Sequence, residues 1–155
     1  MSTINKYTYM FLSIFSALFL GALLGLERAI ADKGAGMRTY SLVSMGSALF
    51  ILISEEVIAK YTISGAVDFD PLRMASAIVT GIGFIGAGLF VFRQNKVRNI
   101  TTAAGLWVSS GIGIACGYGM YELAALVSSC TLFVFTIMWF LEKKITARVS
   151  DRKEE

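Results

Sequence analysis

Apolar runs separated by short polar blocks set the reading of this chain. From Tyr7 to Leu26, Thr39 to Ala59, Met74 to Phe92, Thr101 to Gly119 and Leu123 to Leu141 the sequence is dominated by apolar and small residues. Each run is close to the ~20 residues that a helix rising ~1.5 Å per residue needs to cross hydrocarbon. The pattern predicts an all-α membrane protein, a compact bundle of five transmembrane helices over residues 1–141 with a polar tail over 142–155. The third run has nineteen residues without charge or proline and is expected to be the helix around which the others are arranged. Asp70 is its expected N-cap, with Pro71 at the first helical position, and Arg93, Lys96 and Arg98 are expected to meet the negative end of its dipole. In the second run the uninterrupted part, Tyr40 to Ser54, is fifteen residues, so the helix is expected to carry Glu55 and Glu56 to the far interface. A cleavable signal is the rival reading of the first run, with Ala29-Ile30-Ala31 as a small-residue site. The length of the run and a flank carrying only Lys6 favour a span.

Small residues fall at helical spacing within these runs. Gly21 and Gly25 form a G-x-x-x-G face extended by Ala17; Gly81, Gly83, Gly86 and Gly88 crowd the third run; and Gly105, Ser109, Gly113 and Gly117 recur every four residues in the fourth, beside a row of Gly111, Ala115 and Gly119. A glycine costs a water-exposed helix ~1 kcal/mol relative to alanine, whereas in lipid it lets two backbones approach. All these glycines and Ser109 are expected to be helix-packing positions, within one chain or across a dimer. The alternative is a thin-walled passage lined by backbone, with Trp107 and Ser109 near its wall. The fifth run differs, carrying Phe133, Phe135, Ile137, Met138, Trp139 and Phe140 without glycine, and is expected to face lipid.

Composition agrees with the pattern: 155 residues, 55% apolar, 16% charged and a mean hydropathy of +0.67 are too apolar for a soluble domain of this size. The net charge of +3 does not point to nucleic acid, because the basic residues lie in short blocks between apolar spans. Eleven Lys and Arg fall on the side that holds Arg28, Arg38, Arg98 and the tail, and three on the other. The positive-inside rule therefore puts the amino terminus outside and the tail in the cytoplasm. Cys116 and Cys130 lack metal-ligand spacing, and there is no histidine, so neither a zinc site nor the commonest general base is available. A gapless alignment of GALLGLER (residues 21–28) onto GAGLFVFR (residues 86–93) matches at Gly, Ala, Leu and Arg. It reads either as chance or as the trace of two parallel halves, spans one and two and spans three and four, with the fifth appended.

The linked motifs GALLGLER with GMRT and LVSMGSALF, DPLRMASAIVTGIGFIGAG, and VRNITTAAGLWVSSGIG resemble the MgtC/SapB family of bacterial inner-membrane proteins, in order from Leu18 to Gly119. The resemblance implies a hydrophobic domain of four or five helices and a link to adaptation to low magnesium. In some pathogens the family is also tied to survival inside macrophages and to restraint of the ATP synthase. Many members carry a cytoplasmic ACT-like domain; this chain stops soon after its fifth span, so no role of that domain is carried over.

Charged groups are absent from the middles of the spans, where burying one costs at least ~2.5 kcal/mol on insertion scales. The polar candidates gather at the two faces. On the cytoplasmic side Glu27, Arg28, Arg38, Arg93 and Arg98, with Thr101 and Thr102 opening the fourth helix, could form a basic, anion-attracting vestibule in which Glu27 fixes an arginine fork. The same residues also read as topology charges and caps. On the external side Asp70 and Arg73, spaced i, i+3, are expected to pair. Asp68, Asp70, Glu55 and Glu56 are the alternative, oxygen ligands for hydrated Mg²⁺, against which Arg73 argues. No cofactor or metal centre is predicted, and nothing resembles a nucleophile–base pair or a phosphate loop. The expected function is that of a non-enzymatic regulator tied to magnesium or ion homeostasis or to membrane energetics. It would work among membrane lipids as a homo-oligomer, with a dimer favoured, or with a membrane protein partner. The alternative is a small transporter or channel for Mg²⁺ or another small ion.

Overall fold

A computed structural model describes residues 3–61, 70, 72–89, 91–93 and 96–151, and the side chains of these except 3–4, 91–93, 96–98 and 146–151. The elements are α1 (Thr3–Ile30), α2 (Met37–Tyr61), α3 (Arg73–Gly88), β1 (Val91–Arg93), β2 (Lys96–Arg98), α4 (Ile100–Gly117), α5 (Tyr121–Phe133), a π-helical turn (Val134–Met138) and α6 (Trp139–Asp151). The last three run on as one continuous helix. α1, α2, α4 and the segment Tyr121–Ile145 are each long and apolar enough to cross a membrane.

α4 is the centre of the bundle: 61% of its apolar window is buried, against 17% for Tyr121–Ile145, and it packs on α1, α2, α3 and α5. The core lies where α1, α2 and α4 meet, around Ala17, Leu24, Tyr40, Ala48, Leu106, Ile112 and Cys116. Small residues bring these backbones together. A Cβ on Gly25 would lie 2.5 Å from the Met37 Cα, one on Gly21 2.7 Å from the Tyr40 carbonyl oxygen, and one on Gly117 2.7 Å from the Ile51 Cβ, while one on Gly113 would overlap the Ser44 carbonyl oxygen. Ser109, fully buried, donates to the Tyr40 carbonyl at 3.0 Å.

The third run departs from expectation. α3 has 16 residues, about 24 Å of helix against ~30 Å of hydrocarbon, and Ile82 is its one buried residue among those described. A helix with four glycines in its last eight residues is weak, and the Val91-Phe92 pair that follows prefers extended backbone. The chain therefore leaves the helix at Leu89 and forms the antiparallel ribbon β1–β2, with Val91 opposite Arg98 and Arg93 opposite Lys96. Arg93, Lys96 and Arg98 thus sit on strands beyond the helix end, not on its last turn. Asn99, in the left-handed region at φ 68°, closes the ribbon by donating its side-chain amide to the Leu89 carbonyl at 3.2 Å. The glycine row of α3 also differs from expectation. A Cβ on Gly86 would stand 3.7 Å from the Ala103 Cβ, but one on Gly81, Gly83 or Gly88 would meet nothing within 4 Å, so among the described residues these three pack against no other helix. The aligned octapeptides part company accordingly: residues 21–28 are helical throughout, whereas residues 86–93 pass from helix to strand.

Two turns set the ends of the bundle. α1 closes with Asp32 in the left-handed region at φ 52° and the Lys33 N–H on the Arg28 carbonyl at 3.0 Å, the two features of a Schellman end. Gly119, at φ 71°, turns α4 into α5 in the same manner, with the Met120 N–H on the Ala115 carbonyl at 2.8 Å.

Candidate functional site

The polar groups collect at the two ends, and the end holding the α1–α2 loop and the ribbon carries the more elaborate arrangement. Arg28, on the last turn of α1, is only 4% exposed. Its Nε donates to Glu27, its Nη2 donates to the Phe135 carbonyl at 3.3 Å, and its Cζ stands 3.8 Å from the centre of the Phe135 ring. The π-helical turn makes this geometry available: i→i+5 bonding widens the turn, and both the ring and the carbonyl of Phe135 reach α1 from there. A guanidinium over a desolvated ring is worth roughly 2 kcal/mol. The Glu27 pair chiefly offsets the cost of burying the charge rather than adding stability of its own.

Tyr40 joins the cluster from α2. Fully buried, it donates its hydroxyl to the Thr102 carbonyl at 3.3 Å, and Gly105 leaves room for it, since a Cβ there would overlap the Tyr40 hydroxyl and lie 2.7 Å from the Phe135 Cζ. A cavity of about 510 Å³ opens beside these groups, bounded by Arg28, Lys33, Asn99, Thr101, Trp139 and Glu142 among others. The structure therefore brings Glu27, Arg28, Thr101 and Thr102 to one place. Arg38 is exposed on the first turn of α2 and does not line the cavity. The side chains of Arg93 and Arg98 lie outside the described residues.

Phe135, Tyr40 and Asn99 were not among the expected site residues. Phe135 is a correction: one of the bulky residues expected to face lipid, it is 5% exposed and packed on Arg28. Trp107 is 53% exposed on α4.

The opposite end is held by simpler contacts. Lys6 pairs with Glu56 at 2.5 Å, Tyr9 donates to the Gly117 carbonyl at 2.8 Å, and the Ser13 and Tyr121 hydroxyls lie 2.8 Å apart. Asp70 and Arg73 are both exposed. Their side chains form no ion pair, the ion pairs among the described residues being Lys6–Glu56 and Glu27–Arg28, although the Arg73 N–H donates to the Asp70 carbonyl at 3.2 Å. The Asp70 side chain instead accepts the Leu72 N–H at 2.9 Å, so it shapes the turn before α3, which begins at Arg73; Pro71 lies outside the described residues. Asp68 lies outside the described residues; among those described, no three His, Cys, Asp or Glu side chains are placed to share a metal ion.

Comparison with known proteins fits this architecture. The model of the MgtC family matches residues 14–144. YhiD of Escherichia coli (strain K12), whose descriptive name proposes a magnesium transporter, is 44% identical over 124 residues, covering 80% of this chain and 57% of that protein. Protein MgtC of Salmonella typhimurium (strain LT2) is 43% identical over 113 residues, 73% of this chain and 45% of the relative. Protein MgtC of Brucella abortus (strain 2308) is 40% identical over 121 residues, 78% and 46%. The chain thus spans about half the length of the curated relatives it matches. No solved structure matches. With the family model covering the bundle from α1 to α6, this chain is a multi-pass membrane protein that belongs to the MgtC family.

Proposed function

We propose that the chain is a non-enzymatic regulator of the bacterial inner membrane, linked to magnesium homeostasis or membrane energetics. It acts through contacts within the bilayer and at the cytoplasmic edge, with the amino terminus outside, the tail in the cytoplasm and a homodimer as the working unit. The name of YhiD supplies the magnesium link, and the distribution of basic residues supports the orientation.

The observation that carries the regulatory reading is the closed seam of α1, α2 and α4. Gly21, Gly25, Gly113 and Gly117 are filled by the backbone or side chains of neighbouring helices, and Ser109 is bonded to Tyr40. Ions need water, carbonyls or charged groups along an open path, whereas the Tyr40 and Ser44 carbonyls of this seam are packed against the glycines of the facing helices. The second reading, a small Mg²⁺ transporter, is favoured by the name of YhiD. Purified protein reconstituted in liposomes enclosing a Mg²⁺-sensitive dye decides between them. Influx equal to that of protein-free liposomes is expected. Influx well above that level, reduced by Asp70→Asn or Arg98→Gln, overturns the regulatory reading in favour of transport.

A further inference from the structure

The cavities of this bundle are of two kinds. The groove of about 600 Å³ between α2 and α3 and the smaller one among α3, α4 and α5 are walled by aliphatic side chains, glycine and an occasional aromatic ring, as lipid-facing surface of any helical bundle is. The 510 Å³ cavity at Arg28 falls within the ~300–1,000 Å³ range of small-ligand sites and is amphipathic. Phe135 and Val134 form an apolar wall, and the exposed Asp32, Lys33, Thr101 and Glu142 surround the opening. We propose that this cavity binds the headgroup of a zwitterionic phospholipid, taking its phosphate at Arg28 and its primary ammonium at Asp32 and Glu142.

Three observations carry the assignment. The buried Arg28 uses Nε on Glu27 and Nη2 on Phe135; its Nη1 has no hydrogen-bond partner among the described residues, and the guanidinium lines the cavity. With that donor open to the cavity, a phosphate oxygen is the acceptor that a guanidinium fork suits best. Beside it Ile100, Thr101 and Thr102, which also line the cavity, open α4 with no side-chain cap, and the first N–H groups of a helix lack partners within it and favour an anion.

The charges in the lining are balanced, Arg28 and Lys33 against Asp32 and Glu142, and Glu27 further offsets Arg28. A purely anionic ligand therefore meets two carboxylates as well as two cations, whereas a ligand carrying both signs satisfies both. The third observation is position. Trp139 lines the cavity with the Lys143 Nζ 5.3 Å from its ring centre, and a tryptophan followed by lysines marks the level at which lipid headgroups lie. The assignment rests on the chain being a membrane protein and not on its regulatory role, so the flux experiment and the following one fail independently.

The test uses the full chain, delipidated in detergent and examined by native mass spectrometry with equal amounts of phosphatidylethanolamine, phosphatidylglycerol and phosphatidylcholine. Soluble phosphoethanolamine and inorganic phosphate serve as competitors. Phosphatidylethanolamine is expected to be retained about fivefold more than either other lipid, the scale of one extra hydrogen bond. Lys33→Gln and Glu142→Gln, both at exposed positions, are each expected to lower that retention several-fold; Arg28→Gln lowers it further, with folding followed by circular dichroism. Equal retention of the three lipids, or retention indifferent to Lys33→Gln and Glu142→Gln, overturns the proposal. Preference for phosphatidylglycerol, or displacement by inorganic phosphate alone, overturns it in favour of a simple anion site. Displacement by micromolar phosphoethanolamine keeps the chemistry and overturns the lipid as its source.

Discussion

Two sets of glycines in this molecule look alike in sequence and do opposite things. Those of α1 and α4, at four-residue spacing, sit where a neighbouring backbone or side chain comes so close that a Cβ has no room. Those of α3 are packed more densely along the chain, yet three of the four face open space. The difference teaches that a glycine stripe shows where approach is permitted, and that the partner must be found separately. In α1 and α4 the partner is chiefly α2, which meets the stripe through Met37, Tyr40, Ser44, Ser47, Ala48 and Ile51. For Gly81 and Gly83 no such partner is found among the described residues.

Substitution can break this contrast. Gly113→Ala is expected to cost about 3 kcal/mol or more, because the new methyl meets the rigid Ser44 carbonyl and one of two packed helices must move; thermal or denaturant unfolding in detergent measures it. Gly105→Ala comes next, at about 1–3 kcal/mol by the same measurement, since the Tyr40 hydroxyl and the Phe135 ring edge are side-chain ends that can yield. Ser44→Ala is expected to be neutral or to stabilise by about 1 kcal/mol, because the Ser44 Oγ is buried with no hydrogen-bond partner among the described residues and removing it removes a desolvated hydroxyl. Gly81→Ala is expected to have the smallest effect on the monomer, within about 0.5 kcal/mol and on the stabilising side through helix propensity. If it instead dissociates a dimer on size-exclusion chromatography in detergent, α3 meets its partner in a second chain, and the contrast becomes one between internal and intermolecular packing.

Much of the bundle was legible in the sequence because hydrophobic runs in a membrane are long and polar blocks interrupt them cleanly. The close approach of α1 and α4 to α2 was legible as small residues at four-residue spacing. The end of α3 was not, since Val91 and Phe92 are apolar and hydropathy runs through a strand as readily as through a helix. The candidate site was half legible. Glu27, Arg28, Thr101 and Thr102 stood out as polar residues at span ends, but Phe135 looked like one more lipid-facing aromatic. Its partner, Arg28, is 107 positions away, and nothing local to either residue announces a contact at that separation. Asn99 carried a faint signal as the polar residue between a basic strand and a helix, although its bond runs backward to Leu89 rather than forward as a cap.

The π-helical turn at Val134–Met138 divides the last helix into two angular registers. Removing one residue from it would leave α5 seated on α4 while turning everything beyond by about 100°, the step of one residue around an α-helix. Trp139 and Glu142 would swing away from the cavity they now line. One extra peptide unit thus lets the chain choose independently which side chains grip the bundle and which ones meet whatever lies at the membrane's edge.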